Sequence, residues 1–415
     1  MKVLIVGSGG REHSIIKKLK QDGVEEIYCA PGNAGTLEIA QNLNIKDDDI
    51  DSLLEFAKNE NIDLTIVGPE VPLVKGITDR FEEEGLKIFG PNKASSKLEG
   101  SKAYSKEFMI KYNIPTAKYS EYNNFDLAFE NVDKYDFPVV IKADGLAAGK
   151  GVIIAENKQE AESALRDIMI EKKFSSSGNK VIIEEFLEGI ETSILAFVDE
   201  NIICPMVSAK DHKKIFDNEK GPNTGGMGSF SPSNIYTKEL EDEIRETILK
   251  PSLKGLQAEE LKFKGVLFIG LMITKEGAKV LEYNVRFGDP ETQVVLSRLE
   301  TSLVEIIEAI LQNKLNSVDI KWSDDAAVCV VMSSKGYPEN YEKGKEITIG
   351  DLDSDISIIH SGTKIENSKL LTNGGRVISV VAKGKNLKEA TEKAYRNIER
   401  IKFEGAHFRK DIGVM

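Results

Sequence analysis

The chain has 415 residues, 40% hydrophobic and 30% charged, with 55 basic against 68 acidic side chains and a formal net charge of −13. That length corresponds to roughly two to four domains and is enough to fold without disulfide or metal staples. The acidic balance argues against sequence-independent nucleic-acid binding, which needs a broad basic face, but it leaves room for a local basic pocket. Three well-separated cysteines, Cys29, Cys204 and Cys329, form no CxxC or Cys/His cluster, which disfavours a zinc site and suits a reducing compartment. The apolar run at residues 3–6 is too short for a signal peptide, and no stretch approaches a membrane span. A soluble, cytoplasmic, multidomain protein without membrane or nucleic-acid partners is expected.

The first hundred residues alternate strand and helix signals: strands at 3–6, 26–30, 64–67 and 87–89, and helices at 12–20, 53–58 and 75–84. Repeated βα units predict a doubly wound parallel sheet, with ligands beyond the carboxyl ends of its strands. Residues 120–190 predict a small α+β unit, with strands at 138–143, 152–155 and 181–185 and a helix at 159–170. Longer strands follow at 193–198, 265–274 and 279–284, with helices at 238–249 and 302–312. The polar stretch 313–325 reads as a linker. Strands at 327–332, 356–359 and 376–382 and a helix at 387–401 form the last unit. The expected domains are 1–101, 102–320 (with a lid at about 121–190) and 325–415.

Five constellations carry chemical signals. Gly7-Ser8-Gly9-Gly10-Arg11-Glu12 lets backbone N–H groups approach a phosphate at a strand-to-helix turn. Glu12 stands where a dinucleotide fingerprint requires its third glycine, which disfavours a dehydrogenase; a tight turn without a ligand is the plainer reading. The hairpin loop from Asp144 through Gly145, Gly149, Lys150 and Gly151 can wrap a triphosphate, with Lys142 on the preceding strand, but its spacing is not that of a Walker A loop. The strand end at 181–191 offers backbone groups to an adenine edge and carboxylates to a ribose, although an acidic strand end is often merely solvated. Glu282, Asn284 and Arg286 alternate along a strand and are expected on one face, with Leu281, Tyr283 and Val285 on the other. A carboxylate with an amide oxygen suits magnesium, whereas a Glu282–Arg286 salt bridge would give Asn284 no role. Finally, the polar, glycine-rich stretch from Lys210 to Gly228 is too long for a simple turn, and His212 within it is a possible base or a plain hydrogen-bonded residue.

In this order, the motifs resemble the ATP-grasp superfamily and, within it, the phosphoribosylamine–glycine ligase (glycinamide ribonucleotide synthetase) family. The most specific stretches are Gly9-Gly10-Arg11-Glu12-His13, Asn223-Thr224-Gly225-Gly226-Met227-Gly228 and Arg286-Phe287-Gly288-Asp289-Pro290-Glu291, and Pro31-Gly32-Asn33-Ala34-Gly35-Thr36 and Thr372-Asn373-Gly374-Gly375-Arg376 match as well. The resemblance implies a pre-ATP-grasp α/β domain, an ATP-grasp fold with a small lid and a C-terminal α+β domain. It implies phosphate contacts from Lys102 and Lys142, with Gly149, Lys150 and Gly151 in the closing loop. Glu184, Glu185, Phe186 and Leu187 would frame the adenine, and Glu191 would take the ribose. Glu282 and Asn284 match the ligands of Mg2+ or Mn2+. No acidic residue occurs in 265–274, so fewer protein ligands and more water are expected at the metal than in many ATP-grasp enzymes.

The implied reaction joins glycine to 5-phosphoribosylamine at the cost of ATP, through glycyl phosphate. Lys142 and Arg286 are the expected catalytic side chains. Arg286 is also placed with Gly288 and Asp289 among the substrate contacts, together with Gly9, Gly10, Asp211, Asn223, Thr224, Gly225 and Met227. The expected partners are these small molecules, and the chain is expected to act as a monomer. Another ATP-grasp carboxylate–amine ligase, or a nucleotide-sensing protein without turnover, would use many of the same residues.

Overall fold

Four sheets of four or five strands organise the computed structural model, which describes residues 1–146 and 151–414. In the first, Lys2–Gly7 lies at the centre of a parallel sheet between Glu26–Pro31 and Leu64–Val67, with Gln41–Asn42 and Ile88–Phe89 at the edges. Val3, Leu4, Ile5 and Val6 are all fully buried. Both faces of this strand are covered, which is why its apolar run does not alternate. The helix Gly10–Gln21 starts directly after it. The helical signal at 75–84 resolves into two helices, Glu70–Lys75 and Ile77–Glu83, separated by Gly76 at φ +93°. A left-handed glycine at a helix C-terminus closes the first helix and redirects the chain.

The lid is an antiparallel sheet in the order Tyr119–Tyr122, Val181–Glu185, Val139–Ala143, Val152–Ala155. Helices Phe125–Asn131 and Lys158–Leu165 close its core around Ala128, Ile141, Leu165 and Ile183. The second helix continues as a π turn over Arg166–Ile170, accounting for the longer helical signal there.

The platform is an antiparallel sheet in the order Ile203–Pro205, Ile190–Val198, Gly265–Thr274, Gly277–Asn284. Phe108 and Met109 of helix Lys102–Lys111, and Leu256 of helix Lys250–Ala258, pack with Ile269, Leu271 and Tyr283 in one core that also takes Leu4 and Val6. The first sheet and the platform thus share apolar packing.

One register shift bears on the site. Gly270 pairs with Glu282 but Leu271 pairs with Val280, so Leu281 is an extra residue on its strand. A bulge of this kind reverses the alternation beyond it. Ala278 and Val280 enter the core before the bulge, and Tyr283 and Val285 after it. Leu281 therefore does not turn away with Tyr283 and Val285 as strict alternation predicts; it lines the cleft beside Glu282.

The last sheet runs Lys210–Asp211, Gly228–Ser231, Ala326–Ser333, Arg376–Gly384, Ile356–His360, all antiparallel, with helix Leu387–Ile398 packed on it. Its first strand, and the first residue of its second, come from the stretch Lys210–Gly228 that reads as a long loop. The two strands are two and four residues long, too short to display an alternation, and their continuation is a strand far downstream. Between them Lys214–Phe216 and Lys220–Asn223 form a separate hairpin. Among the described residues, no helix is long and apolar enough to cross a membrane.

Candidate active site

Lid, platform, the first glycine loop and the C-terminal sheet enclose a cleft of about 730 Å3. Val140, Val152, Ile154, Phe268, Met272 and Leu281 give its lid-side end apolar walls, the surface a flat heterocycle needs. Lys142, on the lid strand Val139–Ala143, points its Nζ to 2.9 Å from Glu184 Oε1 and 3.4 Å from the Leu281 carbonyl. Lys102 opens the helix Lys102–Lys111 and donates to the Gly145 carbonyl at 3.0 Å. Burial lowers its pKa, with Glu282 opposing that and Lys142 adding to it. Asp144 accepts from the Ala103 N–H (3.2 Å) and the Ser101 hydroxyl (3.1 Å), fixing the lid loop to the start of the same helix.

Glu185, Phe186 and Leu187 follow Glu184 along the cleft wall. The Glu185 N–H is already given to the Lys118 carbonyl at 3.0 Å. Glu191 pairs with Lys213. Gly151 lines the cleft, while Gly149 and Lys150 lie outside the described residues.

Glu282 and Asn284 both face the cleft. Burial pushes the Glu282 carboxyl up, but Lys213, Lys102, Lys142 and Arg286 together outweigh it and hold the carboxyl below its ordinary range. An ionised carboxylate beside an amide oxygen fits a hard divalent cation whose other positions are filled by phosphate and water. Among the described residues, no group of three His, Cys, Asp or Glu side chains could hold a metal without such help. Lys213 is held well above its ordinary range: burial works against its charge, and Glu191, Asp211 and Glu282 more than offset that. Burial raises Asp211 to about 6 and Glu291 to about 8.

Arg286 makes no ion pair with Glu282. Its Nη2 lies 3.1 Å from Glu99 and 3.3 Å from Asn284 Oδ1, its Nε lies 3.6 Å from Glu70, and its Nη1 donates to the Phe287 carbonyl at 3.2 Å. Glu99 in turn accepts the Val285 N–H at 2.7 Å. Burial lifts Glu99 to about 7, with Arg286 opposing.

At the opposite end, Gly9 lines the cleft and donates its N–H to Glu12 Oε2 at 2.5 Å. The Glu12 carboxylate fills the glycine loop itself: a Cβ on Gly7 would sit 2.7 Å from Glu12 Cδ and one on Gly9 2.8 Å from Glu12 Oε2. The Asp289 carboxylate accepts from the Arg11 N–H (3.3 Å) and Gln293 (2.7 Å) and forms an ion pair with Arg376 (3.2 Å). Arg376 also donates to the carbonyls of Gly225 (2.8 Å) and Asp289 (2.7 Å), and the Tyr337 hydroxyl accepts the Gly225 N–H at 2.8 Å. The Thr224 hydroxyl donates to the Lys213 carbonyl at 2.7 Å, holding the Asn223–Thr224–Gly225 edge in the wall.

Three expected substrate contacts are not at the cleft surface. Gly10 packs on Gln293 and Ser361, where an added Cβ would meet both at 2.7 Å. Met227 is fully buried. Gly288 lies against Glu291, whose Oε2 would be 2.6 Å from its Cβ. Gly10 and Gly288 sit one residue, and Met227 two, from a lining residue, because a turn of chain presents only some of its members. The structure adds Arg376, Tyr337, Lys213, Glu99 and Lys106. The motif ending in Arg376 already stood out in sequence, and Lys106 lies one helical turn beyond Lys102.

Models of the phosphoribosylglycinamide synthetase N domain, ATP-grasp (A) domain and C domain match residues 1–99, 100–292 and 327–415. The phosphoribosylamine–glycine ligase of Clostridium acetobutylicum is 52% identical over 414 residues, covering 100% of this chain and 99% of its own. The crystal structure of phosphoribosylamine–glycine ligase from Thermotoga maritima superposes with a TM-score of 0.87 at 34% identity, covering 99% of this chain and 100% of its own. Biotin carboxylase from Campylobacter jejuni, solved with a β,γ-ATP compound, shares the fold at a TM-score of 0.77 and 14% identity, covering 100% and 94% of the two chains.

Proposed function

The chain belongs to the phosphoribosylglycinamide synthetase family, and on that footing we propose how its cleft performs an ATP-dependent ligation of glycine to 5-phosphoribosylamine. The observation that carries the reading is the convergence of Lys102, Lys142 and Lys213 on the Glu282 and Asn284 side of one cleft, with Arg286 beside them. That set supplies charge where a triphosphate reacts, and the apolar walls beside Glu184 to Leu187 accept its base.

A glycine carboxylate oxygen attacks the γ-phosphorus of ATP, the bond to the β-phosphate oxygen breaks, and ADP leaves. The amine of phosphoribosylamine then attacks the acyl carbon of glycyl phosphate, and the C–O bond to phosphate breaks. Charge builds on the transferring oxygens, so fixed cations provide most of the stabilisation. Lys102 and Lys142 bind the phosphates, and Glu191 takes the ribose hydroxyls. Arg286 is released from Glu99 and Glu70 to meet the glycine carboxylate or the transferring phosphoryl group. Glu282 and Asn284 would hold a divalent cation, Mg2+ or Mn2+, which supplies neutralising charge on the phosphate oxygens. Gly9, Asp211, Asn223, Thr224, Gly225 and Asp289 orient phosphoribosylamine and exclude water, since an acyl phosphate hydrolyses.

The domain division 1–101, 102–320 and 325–415 belongs to the same proposal, with two strands of the last sheet lent by the middle segment. A monomer belongs to the same proposal, since one copy supplies the lid, platform, glycine-loop and C-terminal walls of a single cleft. A cytoplasmic location without nucleic-acid or membrane partners is supported by three free cysteines and the net charge of −13. The test is ADP release with a panel of carboxylic acids and amines, phosphoribosylamine being generated in the assay. Rapid release requires glycine and phosphoribosylamine together. Equal rates with other pairs, or rapid ADP formation from ATP alone, would overturn the assignment.

A further inference from the structure

Glu184 carries two counter-ions. Lys142 Nζ donates to its Oε2 at 3.0 Å and lies 2.9 Å from Oε1, and Lys106 Nζ lies 3.1 Å from the same Oε2. All three side chains are nearly inaccessible to solvent. The two lysines are held differently. Among the described residues, Lys142 has the Leu281 carbonyl as its one further partner, at 3.4 Å. Lys106 also donates to the Thr116 hydroxyl at 2.7 Å, and that hydroxyl donates to the Val280 carbonyl at 2.6 Å. The chain of donors has one direction, from ammonium to hydroxyl to platform backbone, and it anchors Lys106 to helix, loop and platform at once. Lys102 stands one helical turn away, with its Nζ on the Gly145 carbonyl rather than on a carboxylate.

The reading above requires Lys142 to move its charge toward the phosphates. A carboxylate buried to this degree and stripped of its last cation is strongly unfavourable. Without a second cation, Glu184 would hold Lys142 back. We propose that Lys106 is a positioning residue for phosphoryl transfer: it stays on Glu184 as the resident counter-ion and thereby frees Lys142 for the nucleotide. Burial pulls the Lys106 ammonium down to about 8, with Glu184 acting against that, so the group still carries most of its charge at neutral pH. The inference rests on the phosphate role of Lys142, and its test separates the two claims.

ATP affinity is measured by calorimetry, with magnesium present, for wild type, Lys106→Met, Lys142→Met and the double variant, each checked for folding by circular dichroism. Each single substitution is expected to weaken ATP binding roughly ten- to hundredfold, the range of a lost charge-assisted contact. The double variant should match Lys142→Met within about twofold, because both substitutions remove the same phosphate contact. Multiplying losses would overturn the proposal, as would unchanged affinity in Lys106→Met. A second cycle uses a Glu184→Gln background, where no carboxylate charge needs a partner. There Lys106→Met should cost less than about threefold, and a loss as large as in wild type would assign Lys106 a different role. Lys106→Arg, which keeps the cation, should recover most of the affinity and serves if Lys106→Met does not fold; no recovery counts against the proposal. Unchanged affinity in Lys142→Met would overturn the phosphate role of Lys142, leaving the Glu184 cycle to decide that of Lys106.

Discussion

Arg376 Nη1 lies 2.7 Å from the Asp289 carbonyl and 3.2 Å from the Asp289 carboxylate, joining the C-terminal sheet to the loop that follows the strand Gly277–Asn284. The same nitrogen reaches the Gly225 carbonyl at 2.8 Å. One guanidinium thus fixes two walls of the cleft that the chain supplies far apart in sequence. The Asp289 carboxyl is buried, which raises its pKa, but Arg376 and Arg11 outweigh this and hold it below its ordinary range.

Replacing Arg376 with Met should loosen those walls while leaving the nucleotide end intact. Turnover with saturating ATP is expected to fall at least about tenfold, with KM for ATP changed by less than about threefold. Stability should drop by about 1–3 kcal/mol, since Asp289 keeps the Arg11 N–H and Gln293 but loses a buried cation. Steady-state kinetics with each substrate varied, alongside denaturant unfolding, checks both. A loss confined to ATP affinity would show that Arg376 acts elsewhere.

How far the sequence discloses this site depends on the range of the signal. The parallel sheet was legible because Val3 to Val6 and Leu64 to Val67 are apolar without interruption, which buried strands require. Lys142, Glu184 and Glu282 were legible because each lies at a strand end inside a dense local pattern. Leu281 was misplaced because a bulge depends on the partner strand, here the step from Gly270 to Leu271, and leaves no mark in its own strand's residue types. The strand Lys210–Asp211 was read as loop because it is two residues long and pairs with Gly228–Ser231, whose other neighbour is Ala326–Ser333. Arg376 and Lys106 escaped the residue assignment because their partners, Asp289 and Glu184, are distant in sequence.

A second joint between the first and last domains predicts acid sensitivity. The His360 N–H donates to His13 Nδ1 at 2.9 Å, and His360 Nδ1 bonds the Thr363 hydroxyl at 3.1 Å. Burial lowers His13 to about 3, with His360 and Lys17 adding to it, and burial lowers His360 to about 4 with help from Lys17. The unfolded chain therefore binds more protons than the folded one between about pH 6.5 and 4. Their contribution is complete above pH 6.5 and is lost as the pH falls through that window, by about 1.4 kcal/mol per pH unit per proton. The raised carboxyls Glu99 and Glu291 act in the opposite sense, so the difference between variant and wild type isolates the histidines. Unfolding of wild type, His13→Asn and His360→Asn at pH 4.5, 5.5 and 6.5 should show the flatter pH dependence in both variants. Parallel curves would refute this.

Glu282→Gln keeps the shape of the side chain and removes its charge. Arg286 is paired with Glu99 and Glu70, so among the described residues no ion pair is broken, and the melting temperature should move by only a few degrees. Turnover at low magnesium should fall roughly hundredfold and recover in part at high magnesium. Near-normal turnover with a large loss of stability would remove Glu282 from the metal site.

The central claim is that a glycine carboxylate oxygen becomes bonded to the γ-phosphorus of ATP in this cleft. Glycine labelled with 18O in its carboxyl group, turned over with ATP and phosphoribosylamine, tests it most directly, with the released phosphate read by mass spectrometry. Passage through glycyl phosphate transfers one labelled oxygen to each phosphate and leaves the other in the amide. Unlabelled phosphate, released at the rate of ligation, would contradict the account.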